Sequence, residues 1–270
     1  MVRRSSRQGC DVAGFIGGNR AKLTGLAKGA VDLILPIACV VCDKLIPHSE
    51  TGVVCGHCWS RARELPNPRC SRCGHPIDRY SCRWCENLPP FVRCARSFCW
   101  IGAGTGKEIV HALKYDGWTQ VADAIAGRMC RLSFPEDVTA ERSAIIPVPL
   151  SLTRMRERGF NQCDLIARQA AVRWKIPVFS EALVRGSSTR SQTRLTPGER
   201  LSNVAGAFSV PASARDSLRG RHVMLLDDVV TTGATLHACA SALFAAGART
   251  LSYMTFGRAP ASGDRLIHQE

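Results

Sequence analysis

Past residue 90 the chain alternates between two hydrophobic periods, one of amphipathic helix and one of buried strand. Ile109, Val110 and Leu113 recur at helical spacing up to Gly117, and Thr105 with Glu108 has the form of a capping box, which predicts a helix over about 106–116. Val121, Ile125, Met129 and Leu132 keep that period and predict a second helix. Ala144 to Val148 is apolar without alternation and is closed by Pro147 and Pro149, the form of a short strand buried on both faces. A basic loop is expected from Leu150 to Phe160, and Asn161 with Asp164 offers a cap for a helix reaching about Trp174. Pro177 to Leu183 is a further strand candidate, and Gly186 to Asn203, rich in Ser, Thr and Arg without a hydrophobic period, reads as a mobile loop. Val223 to Leu226 is an apolar strand that runs straight into Asp227-Asp228-Val229-Val230-Thr231-Thr232-Gly233-Ala234-Thr235. Leu236, Cys239, Ala240, Leu243 and Ala246 then hold a helical period until Gly247, and Leu251 to Phe256 supplies one more strand. This alternation predicts an α/β fold, an open, mainly parallel sheet with crossover helices.

The segment before residue 90 has a different texture. Pro66, Pro68, Pro89 and Pro90 punctuate it, and eight of the chain's 14 cysteines fall there in four Cys-x-x-Cys pairs: Cys39 and Cys42, Cys55 and Cys58, Cys70 and Cys73, Cys82 and Cys85. Two residues between thiolates let a tight turn aim both sulfurs at one ion, and two such turns complete a tetrahedral site, so eight thiolates make two structural zincs. A redox dithiol needs one pair and leaves the other three unexplained. The pairs are separated by 12, 11 and 8 residues, which leaves open whether neighbouring pairs share an ion or the pairs interleave. Gly56 and Gly74 suit the turns of such knuckles. With eight Cys available, His48, His57 and His75 read as bystanders. The segment holds too few aliphatic residues to fold by burial alone, so metal must supply much of its folding free energy. Cys94 and Cys99 follow at the wrong spacing, and Cys10, Cys130, Cys163 and Cys239 lie singly, the last three reading as buried small hydrophobes.

Composition narrows the classes further. At 45% hydrophobic and 21% charged residues, the 270-residue chain is not wholesale disordered. No stretch approaches the roughly 20 apolar residues of a membrane span. The first 28 residues carry six basic residues but no apolar core with a cleavage site, so no secretory signal is read and a cytoplasmic location with reduced thiols is expected. The formal charge of +14 favours anionic partners, although 30 of the 36 basic residues are Arg, a bias that a GC-rich genome produces without any function.

Two adjacent carboxylates at the end of an apolar strand demand a partner, because they repel each other where the dielectric is low. In an open α/β sheet, ligands bind beyond the carboxyl ends of the strands, where Asp227 and Asp228 must sit. The backbone N–H groups of Thr231 to Thr235, three Thr hydroxyls and the positive end of the following helix form a nest for a phosphate, and Gly233 lets the backbone approach it. A phosphate in that nest places its sugar beside the two carboxylates, which can accept from vicinal ribose hydroxyls.

Val223 to Leu236 resembles the phosphoribosyl-pyrophosphate (PRPP) motif of type I phosphoribosyltransferases. With Pro147-Val148-Pro149, Arg158-Gly159-Phe160-Asn161-Gln162, Gln192, Arg200-x-x-Asn203 and the Cys pairs, the chain from about 35 to 260 resembles the ComF family of competence-associated proteins. The resemblance implies a double zinc ribbon (35–90) and a phosphoribosyltransferase-like domain (91–260), while an N-terminal extension (1–34) and a tail (261–270) lie outside it. It implies a site in which Asp227 and Asp228 bind ribose and Thr231, Thr232, Gly233, Ala234 and Thr235 bind the 5-phosphate. Arg154, Arg156 and Arg158, with Lys114 as a further candidate, are placed for pyrophosphate, and Mg2+ accompanies PRPP. It implies a link to natural transformation, with single-stranded DNA and DNA-uptake or recombination proteins as partners. No acceptor is named, so a non-catalytic PRPP sensor or single-stranded DNA-binding protein, and a nucleotide-salvage or amidophosphoribosyltransferase-like enzyme, stand as alternatives.

Overall fold

The structure, a computed structural model, describes residues 37–47, 52–77, 82, 85–86, 88–186 and 206–260. The N-terminal extension, Cys10, His48, the stretch expected as a mobile loop beyond Gly186 and the C-terminal tail lie outside the described residues.

Strands β1 (Ala62–Glu64), β2 (Val92–Gly104), β3 (Arg142–Pro147), β6 (His222–Val230) and β7 (Thr250–Arg258) form one sheet in the order β1-β2-β7-β6-β3. Every pairing in it is parallel except β1 with β2. A small ladder joins β4 (Val184–Arg185) to β5 (Phe208–Ser209). β6 and β7 are central, and their apolar runs are buried on both faces. Met224, Leu226, Met254 and Phe256 pack into one core, while Val223, Leu225, Leu251 and Tyr253 pack into the other. That alternation is the period-2 geometry of a strand.

One face is covered by α2 (Gly106–Lys114), α3 (Val121–Cys130) and α6 (Gln162–Trp174), through Ile109, Leu113, Ile125, Met129 and Ile166. The other is covered by α7 (Ala212–Leu218) and α8 (Ala234–Ala245), whose Leu236, Cys239, Ala240 and Leu243 recur at helical spacing. The expected helices and central strands are present within a few residues of their predicted ends. The fold expectation holds: an open, mainly parallel sheet with flanking helices, preceded by a Cys-rich module.

Local readings needed correction. The basic stretch expected as a loop contains helix α5 (Leu152–Arg158), capped by the Ser151 hydroxyl accepting from the Arg154 amide and stopped by Gly159 in the left-handed region. It buries none of its residues, so no hydrophobic period marked it. Pro177 to Leu183 makes only a single parallel bridge, Val178 to Ile145. The long strand β2 and helices α4 (Glu136–Glu141) and α7 were not anticipated. Thr105 does sit at the N-cap of α2, but its side chain makes no cap bond and instead donates to the Cys58 carbonyl.

That contact is one of several that weld the Cys-rich module to the sheet. A short helix, α1 (Gly56–Ser60), leads into β1, which is itself a sheet strand. Trp59 packs edge-on against Phe256 at 6.2 Å and carries the Arg128 guanidinium 3.3 Å above its ring. The Ala95 amide donates to the Arg72 carbonyl at 2.8 Å, and Arg258 Nη2 donates to the Cys73 carbonyl at 2.9 Å. Gly74 has φ +67°, and a Cβ there would lie 2.4 Å from the Ala95 carbonyl oxygen, so both conformation and space require glycine.

Candidate functional site

The four Cys pairs gather in sequence order. Cys39, Cys42, Cys55 and Cys58 form one cluster and Cys70, Cys73, Cys82 and Cys85 another, each with its sulfurs within 4.8 Å of one another. Neighbouring pairs therefore share a site, which settles the alternative left open by spacing, and His57 and His75 belong to neither cluster. Sulfurs of Cys42 and Cys55 are 3.8 Å apart, those of Cys73 and Cys82 3.3 Å. Four ligands at roughly 2.3 Å around a tetrahedral zinc stand about 3.8 Å apart, so the donor set fits the ion. The electrostatics agree. Burial works to raise the Cys39 thiol, but the amides of Cys55, Val41 and Cys42 outweigh it and bring it down to about 7. Cys70 is brought to about 7 in the same way, chiefly by the Cys73 amide. Burial and neighbouring thiols push Cys58 and Cys73 upward. Each cluster thus readily forms one thiolate and resists the next, a frustration that a dication removes.

At the carboxyl end of the sheet, β6 delivers Asp227 and Asp228 into a cleft of about 380 Å³. Its walls come from α2 (Lys107, His111, Lys114), the turn after β3 (Val148 to Leu150), the start of α6 and the loop Thr231 to Thr235. Asp228, only 5% exposed, forms an ion pair with Lys114 Nζ and accepts from Gln162 Nε2 at 3.1 Å. Asp227 Oδ1 accepts from the Asp228 amide at 2.9 Å and from the Cys163 thiol at 3.3 Å. Arg158 donates to Gln162 Oε1 and lies over the Tyr115 ring at 5.0 Å, so it acts on the carboxylates through Gln162. Arg154 lines the cleft directly, whereas Arg156 is exposed and not among the cleft residues. Gly233, at φ +82°, turns the chain into α8, and Thr231 and Thr235 line the cleft.

Several cleft residues escaped the sequence reading, Lys107 and His111 among them. Cys163 lies on the buried stripe of α6 and was read as packing alone, and no local signal told that its thiol meets Asp227. Tyr115 and Arg185 also line the cleft. Lys114 was the weaker anion candidate, yet it is the cation that holds Asp228.

One ammonium serves two carboxylates, and the shortfall falls on Asp227. Burial first, and then the charge of Asp228, raise its carboxyl to about 7 from 3.8. The folded state binds this proton more tightly than the unfolded chain, so the stabilisation is full below pH 3.8 and is lost as pH rises through about 7. Thermal unfolding of the wild-type protein should therefore show a Tm component falling between about pH 4 and 7 and levelling off above it. Asp227→Asn should remove that component, and a Tm difference between the two proteins that stays constant over this range would contradict the assignment.

Two four-thiol sites, a mainly parallel sheet and a carboxylate-bearing strand that opens onto a glycine-turned helix N-terminus define a zinc-ribbon protein joined to an open α/β sheet. Residues 30–89 match the double zinc ribbon domain. The chain is 32% identical over 230 residues to the DNA utilization protein YhgH of Shigella flexneri, covering 81% of this chain and 96% of that one. It is 36% identical over 135 residues to competence protein F of Haemophilus influenzae, covering 50% and 55%. To competence protein ComFC of Bacillus subtilis it is 26% identical over 234 residues, covering 78% and 90%. The chain belongs to the ComF family. Similar solved structures include the glutamine PRPP amidotransferase of B. subtilis, with TM-score 0.34, 20% identity and coverage of 50% of this chain and 26% of that one. The hypoxanthine phosphoribosyltransferase of Trypanosoma cruzi has TM-score 0.30, 19% identity and coverage of 55% and 67%.

Proposed function

We propose that this protein binds PRPP with Mg2+ in the cleft at the carboxyl end of the sheet and serves DNA uptake as a phosphoribosyltransferase. The observation that carries the reading is the placement of half-buried Asp227 and buried Asp228 in the last half of β6, facing the same cleft as Thr231 and Thr235. Ribose hydroxyls would donate to the two carboxylates, relieving the crowding that holds a proton on Asp227. The 5-phosphate would accept from the amides and hydroxyls of Thr231 to Thr235. Lys114 and Arg154 face the place of the diphosphate, and Arg158 positions Gln162 rather than touching it. Mg2+, bound with the diphosphate, would supply further neutralisation of the leaving group. As pyrophosphate departs, the two carboxylates would favour the positive charge that develops at the anomeric carbon.

The division at about residues 34, 90 and 260 and the cytoplasmic location belong to the same proposal. No helix among the described residues is long and apolar enough to cross a membrane. Pyrophosphate release from PRPP, measured with a panel of nucleobases, amines and DNA, tests the reaction. Mg2+-dependent release with one acceptor class is expected; PRPP binding without release from any acceptor would leave the enzyme reading without support.

In that event the second reading applies, a PRPP sensor that binds single-stranded DNA. What favours it is Tyr115, which lines the cleft, is 67% exposed and carries Arg158 over its ring. Aromatic faces beside guanidinium groups suit stacked bases and a phosphate backbone. Fluorescence anisotropy with a labelled oligonucleotide should give sequence-tolerant binding whose log K falls with log salt, with a slope of roughly 0.7 per contacted phosphate. Absence of binding at low salt would reduce the +14 charge to codon bias.

A further inference from the structure

On the far side of the phosphate loop lies a second, smaller cavity of about 70 Å³, which shares Thr231, Thr232 and Gly233 with that loop and Cys73 with the second zinc cluster. It sits where the loop, the first half of β2, the second half of β7, the first turn of α8 and the second zinc cluster meet. Val229 lines the cleft and Val230 lines this cavity, so consecutive side chains of β6 point into the two spaces and the loop separates them. Thr231 borders both.

Its chemistry is that of an anion site. Tyr253 is 2% exposed and lines the cavity, and its buried hydroxyl finds no hydrogen-bond partner among the described residues. A buried O–H without a partner costs free energy that a ligand acceptor recovers. The His237 ring lies 5.9 Å from the Tyr253 ring. Burial keeps the phenol protonated and the imidazole neutral, so each has a hydrogen to donate. Arg96 and Arg258 add two positive charges, and no Asp or Glu is among the described lining residues, which disfavours a cation. The volume exceeds the roughly 10–15 Å³ that one water needs.

We propose that this cavity is a second anion site that takes a phosphate-sized oxyanion, either free phosphate or the phosphate group of a monoester. Its walls join the second zinc cluster to the phosphate loop, since Arg258 lines it and also donates to the Cys73 carbonyl. An anion here braces the loop from the side opposite PRPP.

The test is calorimetric titration of the zinc-loaded full chain with inorganic phosphate, and in parallel with ribose 5-phosphate. Tyr253→Phe deletes one donor to a charged acceptor and should weaken one class of phosphate binding by about ten-fold or more. Thr235→Val, which alters the cleft side, and Asp227→Asn with Asp228→Asn should leave that class intact, so failure of the PRPP reading and failure of this site are distinguishable. Binding of both titrants assigns a site open to monoesters, and binding of phosphate alone a site for the free ion. Crystals soaked in selenate supply a second measurement should Tyr253→Phe fail to fold: an anomalous peak within reach of Tyr253 and His237 is expected. Unchanged phosphate affinity in a folded Tyr253→Phe protein, or water alone in the cavity of the selenate crystals, overturns the proposal.

Discussion

Protein purified without chelator and with its thiols reduced should carry two zinc equivalents per chain, and stripping them should collapse more than the N-terminal module. Structural zinc contributes roughly 10–16 kcal/mol of apparent binding free energy in small peptides, comparable with or larger than the about 5–15 kcal/mol that separates a whole domain from its unfolded state. The first cluster is continuous with the main core: Cys39, Cys55 and Cys58 are buried in the same apolar cluster as Met224 and Phe256. Cys55→Ser should therefore loosen β1, the Thr105 contact and the start of α2, which carries Lys114 toward the cleft. Cys70→Ser acts on the other side, through the Cys73 carbonyl held by Arg258 and the Arg72 carbonyl held by the Ala95 amide. Metal analysis gives the count, and hydrogen exchange along the chain gives the extent. One equivalent or none would remove the two-site assignment. Loss of protection confined to residues before 90 in Cys55→Ser would show that the shared core transmits nothing.

What was legible in the chain follows from where its information is local. β6 and β7 were readable because parallel strands buried on both faces need unbroken apolar runs, and α8 because its buried residues recur at helical spacing. β2 escaped because Val92 to Gly104 mixes buried Cys94 and Cys99 with Arg93 and Arg96 and ends among glycines. Its arginines find their partners only in the folded chain: Arg93 pairs with Asp137, and Arg96 donates to the carbonyls of Ser71, Arg72 and Ser133. Helix α5 escaped because it packs nothing away, so its sequence shows charge where a period was sought. The Cys-x-x-Cys spacing announced two zincs, but which pairs combine is decided by chain path. The run from Asp227 to Thr235 was readable as a candidate site because consecutive residues build it. Lys114, Gln162 and Cys163 come to those carboxylates from other helices, across contacts that no local pattern records.

Changing Asp227 and Asp228 together to Asn should abolish PRPP binding while the fold is retained. Asn keeps the volume of Asp, so the strand end and its packing survive, and removal of two mutually repelling carboxylates offsets part of the lost Lys114 ion pair. Above about pH 7, what disappears is a pair of charged acceptors. A hydrogen bond to a charged group is worth about 1.5–3 kcal/mol, so losing two corresponds to roughly 10²- to 10⁴-fold weaker binding. The single variants should differ. Asp228→Asn strips the partner of Lys114, whose side chain is 19% exposed, and disturbs the Gln162 contact through which Arg158 acts. Asp227→Asn touches only the Cys163 thiol and the neighbouring amide and relieves a carboxyl that already holds its proton near pH 7. Asp228→Asn should therefore cost more PRPP affinity than Asp227→Asn at pH 6, with the gap narrowing at pH 8, where Asp227 is ionised and contributes fully. Calorimetry of the three variants at both pH values reads this directly. Unchanged affinity in a folded double variant would mean that ribose does not sit against the end of β6, and a gap independent of pH would mean that Asp227 is ionised throughout.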